Sequence, residues 1–297
     1  DRVAESEWQV SIDLQKAWIE WSALRTELEQ TRKIVETLVS IVKSTSLLAE
    51  QGEIPKTEAG LFTIEQTSRR VEVERLKGEV KAQEQEIRSL LGISPGAPIR
   101  LVPLLAVAGW QPSEDRLKYN NPTINRLRRE YEVSERTLIR EIRKQYPDLV
   151  IGPQGENDEG QSRIGFISAI PLPILNANKG GIAKARAERE VAQAIFETEY
   201  ERKVGKLAAL RARLRGIQAQ QSSIRKDLIP LVDRQASDAR NLVELGEGGS
   251  LVLLESLVRA HEAKLKIIKI QLQHSQADTD IQFLLGPTNY KSNSQRD

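Results

Sequence analysis

The stretch Ile164-Gly165-Phe166-Ile167-Ser168-Ala169-Ile170-Pro171-Leu172-Pro173-Ile174-Leu175-Asn176-Ala177-Asn178-Lys179-Gly180-Gly181-Ile182 decides the fold, because two kinds of structure meet in it. Up to Pro171 it reads as a strand, rich in β-branched residues with one aromatic. Alternation puts Ile164, Phe166 and Ile170 on one face and Gly165, Ile167 and Ala169 on the other. Upstream, Leu149 and Ile151 alternate with polar neighbours, and a polar loop over 154–163 carries Glu156, Asp158 and Glu159. Residues 148–174 are therefore predicted as a β-hairpin, with Pro153 shortening its first strand. Downstream, Asn176 to Gly181 makes a turn, and a helix is predicted from Ile182 to Leu245. At 1.5 Å per residue it would be roughly 95 Å long, with a local kink at Pro230.

Working outward, residues 3–50 contain neither Pro nor Gly, and Leu24, Leu28, Ile34, Val35, Leu38, Ile41 and Val42 recur at helical spacing. That predicts one long helix. Gly52 breaks it, and Pro55 stands where a first helical turn tolerates Pro. A second helix runs to about Leu91 and stops at Gly92, making an αα-hairpin with a tight tip. Residues 93–115 are predicted irregular. Asn120-Asn121-Pro122 signals a shorter helix, from about Thr123 to Lys144. Beyond the long helix, Gly246, Gly248 and Gly249 form a second tip, with Ser250 as the N-cap of a return helix that ends at Leu284-Leu285-Gly286-Pro287. The polar residues after it are predicted disordered.

The two helical hairpins are copies of one another. A shift of 194 residues takes Leu48, Glu50, Gly52 and Glu53 onto Leu242, Glu244, Gly246 and Glu247. The same shift takes Val73 and Leu76 onto Ile267 and Ile270, and Ile87, Leu90, Leu91 and Gly92 onto Ile281, Leu284, Leu285 and Gly286. The apolar positions agree in phase, so both hairpins present the same seam. Helices this long with so narrow a seam need neighbours along their whole length, which implies a bundle or a tube.

Composition agrees. Aromatics are only 4% of the 297 residues, too few for a thick globular core, while charged residues reach 29%. The 44 basic and 42 acidic residues are interspersed and net to +2, a solvated surface rather than a nucleic-acid footprint. With no Cys in the chain, disulfides, thiol chemistry and Cys-based metal sites are excluded. No apolar run approaches the roughly 18–20 residues of a membrane helix.

The segment from Ile170 to Ala183, with Pro171-Leu172-Pro173-Ile174, the asparagines and Gly180-Gly181, resembles the corresponding segment of the TolC-like outer membrane efflux proteins, most nearly their CzcC-like heavy-metal branch. Asn121-Pro122 leading to Tyr146-Pro147-Asp148-Leu149, and Leu228-Ile229-Pro230 ahead of the Gly246 tip, resemble two further family patterns. The resemblance covers nearly the whole chain. It implies a mainly α fold of long antiparallel helical hairpins in two repeats, of the α-barrel and coiled-coil type, with one β-hairpin contributing to a transmembrane β-barrel. The chain then forms a single outer membrane efflux region. Residues 1–92 close the first repeat and 115–286 form the second. The first repeat lacks its leading helix and strand pair, so an N-terminal portion is expected to be missing.

The resemblance further implies a homotrimer in the outer membrane of a Gram-negative bacterium, with most of the chain in the periplasm. Such a trimer is a passive conduit of a tripartite system, here for heavy-metal cations. Its partners are a periplasmic adaptor (membrane fusion) protein, an inner membrane pump and outer membrane lipid. The carried-over docking positions at the periplasmic tips are Gly52, Glu53, Gly246, Glu247 and Ser250, with Glu50 and Glu244 as neighbouring acids. Ile164, Phe166 and Ile170 form the strand face toward lipid. The tip glycines equally suit plain helix C-caps, and the acids plain solvated charge.

No Ser/His/Asp grouping, P-loop or dinucleotide fingerprint is present, so no enzyme, catalytic residue or cofactor is expected. His261 and His274 are the only histidines; thirteen residues apart on one helix, they do not share a face, and no metal site is expected. Two other readings compete. A periplasmic adaptor would flank one helical hairpin with β-rich domains, whereas this chain has two hairpins and one strand pair. A soluble coiled-coil scaffold leaves the Pro-Leu-Pro-Ile segment and the paired tips unexplained.

Overall fold

Seven α-helices and one strand pair are seen in the computed structural model, which describes residues 2–105, 114–146, 150–158, 161–169, 178–245 and 249–287. The order is α1 (Arg2–Glu50), α2 (Lys56–Leu90), α3 (Glu114–Asn120), α4 (Pro122–Arg143), β1 (Val150–Asp158), β2 (Gln161–Ala169), α5 (Lys179–Ser223), α6 (Ile229–Glu244) and α7 (Ser250–Leu285). A π turn, Ile224–Leu228, joins α5 to α6. The expected class, mainly helical with one β-hairpin, is the class observed. The polar residues after 287 and the expected turn at 176–177 lie outside the described residues.

The chain divides into two compact units. One holds Arg2–Ser113 and Lys206–Asp297 and is built on helical hairpins. Ala17, Trp21 and Leu28 of α1 pack on Val73, Leu76, Val80 and Ile87 of α2. Ile34 and Leu38 of α1, Phe62 of α2, Ala239 of α6, and Leu253 and Leu257 of α7 form a second cluster that joins both hairpins. Ile217 and Ile224 meet Ile270 and Ala277 of α7 in a third. Polar contacts set α1 antiparallel to α7: Trp8 Nε1 donates to the Phe283 carbonyl at 3.2 Å, and Lys16 pairs with Asp280 at 2.6 Å. Gln276 Nε2 donates to Glu20 Oε1 at 3.2 Å. The repeat is visible in the backbone: Gly92 and Gly286, one shift apart, both take positive φ, +66° and +81°.

The segment after α2 is irregular as expected up to residue 105, yet it is held in place. Trp18 Nε1 donates to the Val102 carbonyl at 3.0 Å, and Leu104 N–H donates to Ser22 Oγ at 3.1 Å. Its predicted end is revised by α3, a short helix the sequence pattern did not show.

The other unit holds Glu114–Gly205. Asn121 caps α4 as read, its Oδ1 accepting from Ile124 N–H at 3.0 Å with Pro122 in the first turn. At the start of α5, Asn178 has φ +51° and donates from Nδ2 to the Glu141 carbonyl at 2.9 Å and to Glu141 Oε2 at 2.8 Å. A Cβ at Gly181 would stand 2.4 Å from Asn178 Oδ1. The glycine therefore leaves room for the asparagine that ties the helix start to α4. Farther along, Arg189 bonds Glu135 at 2.5 Å and the Tyr131 hydroxyl at 2.9 Å.

Two expectations need correction. Polar residues 154–158 and 161–163 are strand, not loop: β1 and β2 pair antiparallel from Val150↔Ala169 to Asp158↔Gln161. Pro153 does not shorten β1 but sits inside it opposite Phe166. Both strands of a two-stranded ribbon are edges, where Pro is tolerated. Pro230 is accommodated by the π turn. Its ring cannot sit over the carbonyl four residues back, and one wider turn, closed by Ile229 N–H on the Ile224 carbonyl, makes room.

Candidate functional site: the helical tips and the strand face

The first tip is a C-cap of defined type. Glu53 N–H reaches the Leu48 carbonyl at 2.9 Å and Gly52 N–H the Ala49 carbonyl at 3.3 Å, with Gly52 at φ +80°. This is a Schellman closure, and it satisfies the last carbonyls of α1. The backbone conformation is left-handed, so a Cβ is penalised there even though open space surrounds it. We expect Gly52→Ala to lower the unfolding free energy by about 1–2 kcal/mol. The exposed Gly78→Ala, in the interior of α2, should raise it by about 0.5–1 kcal/mol. Paired urea titrations check both, and a neutral Gly52→Ala sinks the account of the tip.

Glu50 and Glu53 are exposed. Gly246 and Glu247 lie outside the described residues. Ser250 is not the expected N-cap. Gly249 holds that place without a side-chain bond, and Ser250 is the first helical residue, 7% exposed, its hydroxyl bonded to Glu58 Oε1 of α2. Ser250 thus locks the second hairpin to the first rather than standing free for a partner. What composition did not show is the apolar character around the tips: Leu47, Leu242, Leu245, Leu251 and Val252 are all exposed.

On the ribbon, Ile164 is 91% and Phe166 76% exposed. Ile170 lies outside the described residues. The pairing register adds Ile151 and Pro153 of β1 to the face of Ile164 and Phe166, since residues directly opposite share a face. In sequence the opposite register positions are Val150, Gly152, Gln154, Glu156, Asp158, Gln161, Arg163, Gly165, Ile167 and Ala169, apolar near Val150 and Ala169 and polar toward Asp158 and Gln161.

His261 and His274 are both buried, and among the described residues Nε2 of each lacks a hydrogen-bond partner. His274 Nδ1 lies 3.1 Å from Gln221 Oε1. Burial, reinforced by Arg69 and Lys264, pushes His261 down to about 4. Burial also lowers His274, against Asp278. Among the described residues no group of three or more His, Asp or Glu side chains is arranged to hold a metal, and no helix is long and apolar enough to cross a membrane.

A chain with long hairpins in two copies and one ribbon with an apolar exposed face can be compared with known proteins. The chain aligns over 94% of its length with the outer membrane protein VceC of Vibrio cholerae, at a TM-score of 0.73 and 15% identity, covering 70% of that chain. The outer-membrane channel OprN matches over 96% of this chain and 67% of its own, with TM-score 0.74 and 15% identity. CusC matches over 95% and 69%, with TM-score 0.74 and 12% identity. The chain has the fold of the outer membrane channels. That is the TolC-like architecture the sequence resembles, and OprN and CusC are channels, not enzymes.

In sequence the chain is 22% identical over 240 residues to the cobalt-zinc-cadmium resistance protein CzcC of Cupriavidus metallidurans. That alignment takes in 79% of this chain and 57% of the relative, so the chain spans little more than half of the curated protein it matches. The match agrees with the heavy-metal leaning of the Pro-Leu-Pro-Ile segment. No family model matches the chain.

Proposed function

We propose that the chain belongs to the channel subunit of a tripartite efflux system and forms part of a passive conduit across the periplasm and outer membrane. The observation that carries this is the ribbon. Ile151, Pro153, Ile164 and Phe166 put an exposed apolar face on one side, in a chain whose helices have the fold of outer membrane channels. An apolar patch on one face of paired strands suits a barrel wall between lipid and water, and a closed barrel needs no apolar helix.

One ribbon cannot close a barrel, so copies must be combined, and a symmetric homotrimer is the reading the resemblance favours. Exposed Val133 on α4 and Val191 and Ile195 on α5 are apolar positions that a neighbouring subunit would cover. In the larger unit, the exposed leucines around the tips, together with Glu50 and Glu53, offer an apolar surface with an acidic border for a periplasmic adaptor coupled to an inner membrane pump. Heavy-metal cations are the proposed cargo, supported by the likeness to CzcC.

The test is mass by light scattering in mild detergent, on this chain and on a form extended to the length of its relatives. A trimer of the extended form supports the conduit. If both forms are monomeric and soluble without detergent, the conduit reading fails and a periplasmic scaffold takes its place.

A further inference from the structure

Over the whole chain 44 basic residues stand against 42 acidic ones. That balance fails where the helices of the smaller unit meet the ribbon. Residues 135–144 at the end of α4 and 178–189 at the start of α5 hold eight Lys and Arg against three Glu. The two stretches lie together, because Asn178 donates to the Glu141 carbonyl at 2.9 Å and to its carboxylate at 2.8 Å. All three acids are engaged: Glu135 by Arg189 at 2.5 Å, Glu141 by Lys144 at 2.7 Å and Glu188 by Lys184 at 3.8 Å. Arg136, Arg143, Lys179 and Arg186 are exposed and, among the described residues, have no ion-pair partner.

Ordinary helix electrostatics does not account for this patch. Arg136, Arg140 and Arg143 are four and three positions apart, on one face of α4. Like charges at those spacings repel and cost helix stability. Cations in the last turn of α4 do suit its dipole. Lys179, however, opens α5, where the dipole is positive and the first turn holds no acid. Lys179 and Arg186, seven apart, share a face of that helix. The repulsion is relieved by counter-charge from outside the chain.

Position in the chain identifies the source. Lys144 stands six residues before β1, and Tyr146 between them is 73% exposed. The ribbon begins there with Val150 opposite Ala169, passes exposed Ile151 and Phe166, and reaches Asp158 opposite Gln161. The order from the helices outward is cations, an exposed aromatic ring, an apolar zone and then polar residues. A wall that passes from water through phosphate headgroups into hydrocarbon has that order, with Lys and Arg at the level of the phosphates and Tyr at the interface. A nucleic acid or an acidic peptide would use the cations but leave the adjoining Tyr146 and apolar strands without a role.

We infer that Arg136, Arg143, Lys179 and Arg186 form a surface that binds the anionic phospholipid headgroups of the leaflet nearest the helices. This rests on the reading of the ribbon as a lipid-facing wall, and adds the class of headgroup that seats the wall and the residues that hold it.

The experiment is flotation of the protein, extended to the length of its relatives, with two kinds of vesicle: phosphatidylcholine alone, and phosphatidylcholine with roughly a quarter phosphatidylglycerol. Recovery is expected with both, because the ribbon meets hydrocarbon in each. Partition into the anionic vesicles should be roughly tenfold or more higher at low salt, and the difference should shrink as salt rises. The variant Arg136→Gln, Arg143→Gln, Lys179→Gln, Arg186→Gln changes exposed side chains only, so it keeps the fold. It should lose the preference and float with neutral vesicles as the parent does. The control Lys81→Gln, Arg225→Gln, Lys226→Gln, Arg234→Gln removes as many exposed charges from the larger unit and should keep the preference. Equal partition of the parent into both vesicles overturns the inference and leaves the lipid-facing ribbon standing. So does a control that loses the preference as fully as the first variant, since net charge then explains it. No recovery with either vesicle removes the lipid-facing ribbon and the headgroup surface with it.

Discussion

Phe62→Ala should lower the unfolding free energy by about 3–5 kcal/mol, the largest loss expected from a single truncation in this chain. Phe62 is 0% exposed. It packs among Ile34 and Leu38 of α1, Ala239 of α6, and Leu253 and Leu257 of α7, so one ring fills the space where both hairpins meet. Those neighbours belong to long helices fixed elsewhere along their length. The site therefore cannot collapse to fill the void, which places the cost at the upper end of the large-to-small range. Leu61, one residue away, is 44% exposed, and Leu61→Ala should stay within about 0.5 kcal/mol. Denaturant unfolding followed by circular dichroism measures both. If Phe62→Ala costs no more than Leu61→Ala, the hairpins are not joined through this cluster.

The elements legible in advance share a property: their determinants lie close together in the chain. The absence of Pro and Gly over 3–50 is enough for α1. Asn121-Pro122 is enough for the start of α4, since the cap and the residue it bonds are three positions apart. The tip at Gly52 and the stop at Gly92 were readable because a left-handed residue is a local demand. The 194-residue repeat was readable because burial phase survives copying even where side chains change.

The misses depend on relations between distant segments. Residues 154–158 and 161–163 look like loop by composition, and become strand because each pairs with a residue across the ribbon. Ser250 looks like a cap, and its hydroxyl goes instead to Glu58 on another helix. A single proline could be read as a kink. That the chain would answer Pro230 with a π turn depends on which carbonyl the ring meets. The cation patch at the base of the ribbon has no signature along any one segment, because its halves lie on α4 and α5 and meet through Asn178 and Glu141.

The largest functional effect is expected on the ribbon. Phe166→Arg in the extended protein should cut recovery in lipid vesicles sharply. A strand residue facing hydrocarbon carries a penalty of about 2–4 kcal/mol when replaced by Arg near the bilayer midplane. Phe166 is suited to carry this test because it stands mid-strand, opposite Pro153, with Ile164 two positions along on the same face. Three copies in a trimer would triple the penalty for the assembled barrel, so partial insertion is not expected. The control is Gly152→Lys, in the opposite register, where an added Cβ meets nothing within 4 Å. A charge on the water side of a barrel wall should leave vesicle recovery unchanged. If both variants insert like the parent, the ribbon does not face lipid. If both fail alike, the two faces are equivalent, and an exposed apolar face on a soluble scaffold becomes the better description. Only loss at Phe166 with retention at Gly152 fits a wall that separates hydrocarbon from water, because only such a wall makes alternate positions along one strand differ in kind.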